Sequence, residues 1–231
     1  MRSVFNQTYP AIELLVVEDG GDSQRTFVSS LSEQAPNGCR VRFLANKKLG
    51  RSAAGNTGLA AARGDFIVFL DDDDLLFADH LETLTSPLLQ DDSLAAAYAL
   101  AFEVRTQVSC DGSGYTEESF QTVPIYHQEW DYDVLLHHNF IPIQAILFKR
   151  ALYEQRGGFD SGLDLLEDWN LWLRYGYGQR FFHVSKTTSL YRTPADPKKH
   201  SERQALLHLA YEEAKTSARA SLERLGFGDS S

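Results

Sequence analysis

Cysteine and methionine are scarce in this chain of 231 residues, which has two cysteines and one methionine. Cys39 and Cys110 lie far apart, so they form neither a disulfide framework nor the closely spaced pairs of a zinc site. We expect both to be free thiols, as in a reducing compartment. The scarcity of cysteine therefore excludes a small disulfide-stabilised secreted protein and a structural zinc module.

Basic residues are also in the minority, with 22 lysines and arginines against 32 aspartates and glutamates and a formal net charge of −10. A protein that binds nucleic acid presents a basic face to the phosphates, so this composition argues against a nucleic-acid partner. No apolar run approaches the roughly 18 residues of a membrane span, and the first residues lack the apolar segment of a signal peptide. We therefore expect a cytoplasmic protein. Peripheral contact with the inner face of a membrane, and homo-oligomerisation, stay open.

The most distinctive feature is a run of four aspartates, Asp71 to Asp74, directly after the apolar segment FIVFL at 66–70. An uncharged run of β-branched and aromatic residues is typical of a buried strand. Carboxylates crowded at the end of a strand repel one another unless a cation or solvent offsets the repulsion. Ligands of open α/β sheets bind at the carboxyl ends of the strands, and carboxylate oxygens suit Mg²⁺ or Mn²⁺. The run therefore predicts a metal site for a phosphorylated substrate.

A simpler interpretation makes the aspartate run an acidic turn that caps the next helix. Asp74 precedes the segment LLFADHLETL, and aspartate is a favoured N-cap residue. Capping explains one carboxylate and leaves the other three without a role, so we favour the metal site.

Strand-like and helix-like segments alternate through the first part of the chain. Strands are predicted at 12–17, 41–44 and 66–70, and helices at 23–33, in the Ala-rich second half of 46–65, and at 78–89. Such alternation predicts an α/β fold with a mostly parallel, Rossmann-like sheet flanked by helices.

The second part of the chain has fewer helical segments. Strands are predicted at 94–108, 145–149 and 180–192, a polar turn or loop at 109–121, and a C-terminal helix at 201–225. The length fits one domain with an appendage. We predict a domain at 1–200 and a C-terminal helix within 201–231 that packs on it.

Acidic turns follow predicted strands or open predicted helices at three places. They are Glu18-Asp19, the aspartate run and Glu167-Asp168. Between the first two lies the segment LGRSAAGNTG at 49–58, whose small residues let a ligand approach the backbone closely. Arg51, with Lys47 and Lys48 before it, is the nearest positive charge for a phosphate group. Together these features are typical of a site for a nucleotide-sugar.

In this order the motifs resemble those of the family 2 glycosyltransferases. The matching segments are SVFNQTYPAIELLVVEDGGDS, GRSAAGNTGLAAARGDFIVFLDDDDLL, GGFDSGLDLLEDWNLWLRYG and the dipeptide YR that ends at Arg192. Each motif is weak alone, but their order and spacing make the joint match specific. The resemblance implies an inverting glycosyltransferase of the GT-A fold that uses Mg²⁺ or Mn²⁺ and a nucleoside diphosphate sugar, usually a UDP-sugar.

The resemblance also implies roles for the acidic residues of the first two turns. Asp19 corresponds to the residue that hydrogen-bonds the nucleobase. Asp71 and Asp73 correspond to the DXD motif, in which the first aspartate lies near the sugar or ribose and the second coordinates the metal. Because the run contains extra aspartates, Asp72 and Asp74 remain alternatives.

Asp168 corresponds to the general base of the family's ED motif, and Glu167 to a supporting or acceptor-side group. A positioned carboxylate takes the proton of the acceptor hydroxyl, and a metal stabilises the charge on the leaving diphosphate. Without the resemblance, a carboxylate stabilised by the dipole at a helix N-terminus would be the better explanation of Asp168.

Four further residues are predicted to line the donor or acceptor site: Glu18, Arg51, Trp169 and Arg192. Trp169 or Trp172 could form the floor of a sugar subsite, although their helical spacing favours core packing for at least one of them. Arg192 could contact the diphosphate, and a surface salt bridge is the alternative.

The sequence departs from the family pattern at two points. An arginine usually precedes the asparagine of the Gly/Asn-rich segment; here Gly55 stands there, with Arg51 nearby. Family members also have a strand and a turn before the segment that matches residues 3–10, and this first strand helps to hold the nucleobase. Its loss from a parallel sheet would expose an apolar edge. We therefore expect weakened nucleotide binding, or an edge covered by another chain.

The leading prediction is sugar transfer to a glycan or lipid-linked acceptor in the synthesis of cell-surface polysaccharide or lipopolysaccharide. Two alternatives stay open. One is a non-catalytic or impaired module that binds nucleotide or metal. The other is a nucleotidyltransferase on a similar sheet, which would need a basic loop near the N-terminus that the sequence does not show.

Overall fold

The computed structural model describes residues 1–109 and 114–227. The prediction that Cys110 is a free thiol lies outside these ranges. Cys39 is free and half-buried, and burial raises the pKa of its thiol. No helix within the described ranges is long and apolar enough to cross a membrane.

Helices and strands alternate up to residue 68, after which two strands follow one another before the next helix. The strands are β1 (Ile12–Asp19), β2 (Cys39–Asn46), β3 (Phe66–Val68), β4 (Leu75–Leu76), β5 (Leu94–Val108), β6 (Tyr115–Thr122), β7 (Ile146–Lys149) and β8 (Arg180–Pro194). The helices are α1 (Arg2–Phe5), α2 (Arg25–Ser32), α3 (Arg51–Ala61), α4 (His80–Gln90), α5 (Tyr132–Leu135), α6 (Arg150–Arg156), α7 (Glu167–Gly176) and α8 (Pro197–Arg224).

The larger sheet has the strand order β3-β7-β5-β8-β4, and β6 pairs with β5. Only β5 and β8 run parallel in this sheet, whereas its other pairings are antiparallel. The α/β class and the C-terminal helix are confirmed, but the expectation of a mostly parallel sheet is wrong. The reason is that the alternation of strands and helices ends at β5, which then pairs with β6 through a short connection and with the returning strand β7.

The prediction of a turn or loop at 109–121 is wrong from residue 115 onward, and its residues 110–113 lie outside the described ranges. Residues from Tyr115 onward form β6, which pairs with the outer part of β5 from Val108 opposite Tyr115 to Phe102 opposite Thr122. Polar side chains are tolerated in this strand because almost all of it is exposed. Backbone pairing with a long neighbour, rather than an apolar pattern, decides its conformation.

β1 and β2 form a separate parallel pair, and within the described residues no backbone pairing joins β1 to β3. Helices connect the two sheets instead. Leu59 of α3 belongs to the same buried cluster as Ile67 of β3, and Ile12 of β1 packs with Phe66 against the cluster around α4. All eight residues of β1 are only half-buried. Coverage of this edge by another chain stays a prediction.

The core of the larger unit surrounds α7. Phe148 of β7 contacts the rings of Trp172 and Tyr175 edge-on, at centroid distances of 5.9 and 5.1 Å. On the other side of α7, small residues of α8 such as Ala214 and Ala218 are buried. Asn170 Nδ2 of α7 donates a hydrogen bond of 2.9 Å to Ala214 O and so links the two helices. Helix α8 begins at Pro197, and the predicted boundary at residue 200 stays a prediction.

Gly55 of α3 lies directly against the buried ring of Phe159. A Cβ atom at position 55 would lie 2.5 Å from Phe159 Cε2, closer than van der Waals contact allows. The ring therefore fills the space that a larger residue at position 55 would need.

We predict that Gly55→Ala lowers the free energy of unfolding by about 1–3 kcal/mol, because a methyl group forced into a filled core displaces its neighbours. Gly58→Ala in the same helix is the matched control, since its Cβ would lie 3.6 Å from Val17 Cγ2, an ordinary contact. This control should stabilise the protein by up to about 1 kcal/mol through helix propensity. Urea denaturation measures both; equal effects of the two substitutions would contradict the packing argument.

Candidate active site

Three carboxylates of the aspartate run converge after β3. Oxygen atoms of Asp71, Asp73 and Asp74 lie within 4.8 Å of one another, and the backbone turns so that Asp74 N donates to Asp71 O at 3.2 Å. Asp72 does not belong to this group. The sequence pointed to Asp71 and Asp73 and left Asp72 and Asp74 as alternatives. In the structure Asp71, Asp73 and Asp74 form the group.

The environment disfavours three negative charges in this cluster. Burial raises the pKa of Asp74 to about 7, with further contributions from Asp73 and Asp71, while the N–H of Arg192 opposes the shift. Desolvation also raises the pKa of Asp71, although Arg51 lowers it. An all-oxygen set of converging carboxylates is what Mg²⁺ and Mn²⁺ prefer. The donor set therefore fits a divalent cation, which would relieve the repulsion.

Arg192 of β8 donates hydrogen bonds to the aspartate run. Its N–H donates to Asp74 Oδ1 at 3.2 Å, and its guanidinium donates to the carbonyl oxygen of Asp73. The same guanidinium pairs with Glu117 at 2.7 Å and lies 4.8 Å from the ring centroid of Tyr115. Arg192 thus orders the turn, and the predicted contact with a diphosphate stays a prediction.

Arg51, the first residue of α3, lies between the aspartate run and the start of α7. Its Nη1 is 3.0 Å from Glu167 Oε1, and the Glu167 side chain is only 8% exposed. The pKa of the Arg51 guanidinium is raised on balance, because desolvation, which lowers it, is outweighed by nearby carboxylates. These belong to Glu167, Asp71 and Asp168. The Arg51 guanidinium therefore interacts with both acidic groups, the aspartate run and the Glu167-Asp168 pair.

Asp19 fixes the loop that leads to Arg51. Its two carboxylate oxygens accept hydrogen bonds from Leu49 N at 3.0 Å and Gly50 N at 2.8 Å, just before α3 begins. Its neighbour Glu18 accepts from Ser23 and from Gln24 N, at 2.5 and 2.9 Å. Both carboxylates thus support local turns, and their contacts with a nucleotide stay predictions.

The helix α7 starts from a strained residue. Leu166 has φ of 58°, the only positive φ among non-glycine residues in the described part of the chain. A left-handed conformation costs a residue with a side chain on the order of 1–2 kcal/mol. Leu166 packs against the core, which holds this conformation. The consequence is that Glu167 and Asp168 stand at the very start of the helix, beside Arg51.

Asp168 is half-buried and held at both oxygens. Oδ1 accepts from Trp169 N at 2.7 Å, and Oδ2 accepts from Asn139 Nδ2 at 3.1 Å. The pKa of Asp168 is raised to about 6, mainly by burial and also by Glu167, although the two hydrogen bonds and Arg51 act in the opposite direction. A carboxylate with this pKa is ionised at neutral pH and remains basic enough to accept a proton.

Asn139 is a contact that sequence reasoning missed. It lies in the segment HHNFIP, between a short helix and a strand, and nothing in its spacing connects it with Asp168. A residue in this position is found only once the loop is seen to fold over the start of α7.

The structure contradicts the predicted role of Trp169 in a sugar subsite. Trp169 is 0% exposed, its Nε1 donates to Leu135 O at 2.8 Å, and its ring packs on Tyr211 at a centroid distance of 4.1 Å. Trp172 is equally buried. Neither ring has a free face for a sugar, because both complete the core around α7.

Known proteins similar to this chain point in one direction. The family described as Glycosyl transferase family 2 matches residues 1–155. Chondroitin synthase of Escherichia coli is 27% identical over 186 residues, which cover 80% of this chain and 25% of that protein. The chain therefore spans about a quarter of the length of this relative.

Two solved structures resemble the fold at low sequence identity. S. aureus TarS in complex with UDP has a TM-score of 0.61 and 18% identity, over 90% of this chain and 59% of that one. The mannosyltransferase PcManGT from Pyrobaculum calidifontis, in complex with GDP-Man and Mn²⁺, has a TM-score of 0.62 and 19% identity, over 100% of this chain and 71% of that one. At these identities the likeness shows the fold alone.

We predict that Arg51→Gln lowers the free energy of unfolding by about 1 kcal/mol, because it leaves the buried Glu167 carboxylate unpaired. The loss should be close to that of a surface salt bridge, because the Arg51 side chain is 65% exposed. Glu167→Gln added to Arg51→Gln should restore part of the loss. Urea denaturation measures the cycle.

The control for this cycle is Arg219→Gln, which removes an exposed pair with Glu223, whose side chains are 84% and 55% exposed. This change should stay within about 0.5 kcal/mol of wild type. An Arg51→Gln protein as stable as the control would show that the ion pair does not support the site.

Proposed function

Because the chain belongs to glycosyl transferase family 2 and shares the GT-A fold of its structural neighbours, we propose that it is the transfer domain of a metal-dependent inverting glycosyltransferase. It would move a sugar from a nucleoside diphosphate to an acceptor hydroxyl. One observation carries the proposal: Arg51 pairs with Glu167 at 3.0 Å and interacts with the carboxylates of both Asp71 and Asp168.

The donor is proposed to be a UDP-sugar. TarS, a structural neighbour, is seen with UDP, whereas PcManGT is seen with GDP-Man and Mn²⁺, so the fold serves both nucleotides. Chondroitin synthase, a relative by sequence, makes a polysaccharide, as its name says. We therefore place the acceptor among growing glycans or lipid-linked sugars of the cell surface.

The residues that would hold the metal are Asp71, Asp73 and Asp74, whose carboxylate oxygens converge. A divalent ion held by these residues would supply positive charge to stabilise the diphosphate leaving group. Arg51 adds a second positive charge at the same edge, and the pairing with Glu167 keeps its guanidinium in place. In a chain with a net charge of −10, the metal ion and Arg51 together would offset the negative charge where an anionic donor binds.

Asp168 is the proposed general base. Its carboxylate removes the proton from the acceptor hydroxyl while that oxygen forms a bond to the anomeric carbon and the bond from this carbon to the diphosphate breaks. The proton ends on Asp168 and the electron pair on the nucleoside diphosphate. Attack from the side opposite the leaving group inverts the anomeric configuration, and the protein supplies no covalent nucleophile.

We predict that Asp73→Asn weakens Mn²⁺-dependent UDP binding at least tenfold, because it removes one ligand oxygen's charge from the cluster. Asp72→Asn is the matched control. This substitution removes the same charge, but Asp72 lies outside the converging group. Calorimetry with UDP, with and without Mn²⁺, measures both variants. Equal loss in the two would show that only net charge matters, and equal retention would remove the metal from the proposal.

We predict that Asp168→Asn lowers the rate of sugar transfer by at least 10²-fold while UDP affinity stays unchanged. In wild type, kcat/KM should fall with decreasing pH below about 6, because the pKa of the base is about 6. Release of UDP from a panel of UDP-sugars measures transfer, and a chain that only binds nucleotide would release none.

Protein stability provides the control for Asp168→Asn. The folded pKa of Asp168 is raised above its unfolded value, so its stabilising contribution is present at acid pH and is lost as pH rises through about 6. At pH 7 the ionised group destabilises the fold, and the variant should be at least as stable as wild type. A variant that unfolds would contradict this assignment of Asp168.

A further inference from the structure

The loop after α5 is fixed to α7 by two indole N–H groups. Trp169 Nε1 donates to Leu135 O at 2.8 Å, and Trp172 Nε1 donates to Ile141 O at 3.2 Å. Both tryptophans are completely buried. The loop between these two carbonyls therefore has a defined position relative to the helix that carries Asp168.

Asn139, within this loop, uses both ends of its amide. Oδ1 accepts from Ile141 N at 3.3 Å, and Nδ2 donates to Asp168 Oδ2 at 3.1 Å. The orientation of the amide is determined by these partners, because a backbone N–H needs an acceptor and a carboxylate needs a donor. The side chain thus links the loop backbone to one oxygen of Asp168.

We propose that Asn139 is a positioning residue that holds the Asp168 carboxylate in a single orientation and favours its ionised form. The inference rests on the proposed role of Asp168 as general base. Trp169 N occupies Oδ1 and Asn139 occupies Oδ2, so rotation of the carboxylate would break both hydrogen bonds. Each oxygen keeps a further lone pair, and one of these can receive the proton of an acceptor hydroxyl.

Among the described residues, Asn139 is the side chain that donates a hydrogen bond directly to Asp168, whereas the charged and titratable groups nearby act on it without such a bond. Glu167, on the same helix, disfavours the ionised form, and Arg51 of α3 favours it. Tyr126, in the short turn Pro124–Tyr126, also faces Asp168. Arg51 is already paired with Glu167, whereas Asn139 donates to Asp168 directly.

A neutral amide suits a general base better than a second cation would. A positive charge in direct contact with a carboxylate lowers its pKa by about 1–3 units, which would make it a poor proton acceptor. An amide donor orients the carboxylate and offsets part of the cost of burial while leaving the group basic. Asn139 therefore tunes as well as orients the base.

The test compares Asn139→Ala and Asn139→Asp with the control His138→Ala, whose exposed side chain precedes Asn139 in the same loop. Asn139→Ala removes both hydrogen bonds. Asn139→Asp keeps an oxygen for Ile141 N and so preserves the turn, but places a carboxylate against Asp168. If Asn139→Ala does not fold, the aspartate variant carries the test.

The first readout is a carbon-13 NMR titration of the Asp168 carboxyl group, assigned with Asp168→Asn, on metal-free protein without substrate. We expect the titration to move up by about 0.5–1 pH unit in Asn139→Ala and by more than about 1 unit in Asn139→Asp. His138→Ala should titrate like wild type. Unchanged titration in both Asn139 variants would overturn the proposal, as would a shift in Asn139→Ala with none in Asn139→Asp, because that result assigns Asn139 to loop shape alone.

The second readout is the pH profile of sugar transfer. We expect the acid limb of kcat/KM to move with the NMR titration, and kcat at pH 7 to fall about tenfold with the KM for the donor unchanged. A lower kcat without movement of the acid limb would overturn the proposal. If wild type itself transfers no sugar, the proposed function fails, and the NMR titration still decides whether Asn139 controls Asp168.

Discussion

Mutual repulsion among carboxylates is the constraint on which this edge of the molecule depends. Three aspartates converge after β3, and Glu167 and Asp168 stand together at the start of α7. Arg51 is placed between the two groups, and Arg192 holds the aspartate turn through its backbone and guanidinium. These arginines reduce the repulsion within the protein, and the negative charge that remains fits a divalent cation.

The site is held by parts of the protein that do no chemistry. The left-handed Leu166 and the buried carboxylates are unfavourable on their own. The aromatic core around α7 compensates for them, since Trp169 and Trp172 are buried and hydrogen-bonded to the loop that carries Asn139. Local strain at the site is therefore supported by packing behind it, an arrangement typical of functional sites.

The acidic motifs of the site could be predicted because each lies next to a strand or helix with a strong apolar pattern. Asp71 and Asp73 follow an uncharged run, and Asp168 opens an amphipathic helix. The burial of Trp169 and the contact of Asn139 could not be predicted, because each depends on which distant segment covers α7. The direction of the later strands could not be predicted either, because the residue pattern within β6 or β7 does not say which strand each one pairs with or in which direction.

The separation of β1 and β2 from the larger sheet affects how the protein opens as well as how it folds. Within the described residues these two strands have no backbone pairing with the larger sheet, and we expect such a pair to open locally at a lower free energy than global unfolding requires. Asp19 ends β1 and holds the backbone just before Arg51. Because these hydrogen bonds fix the residues just before Arg51, opening of the strand pair would also loosen the position of Arg51 beside Glu167.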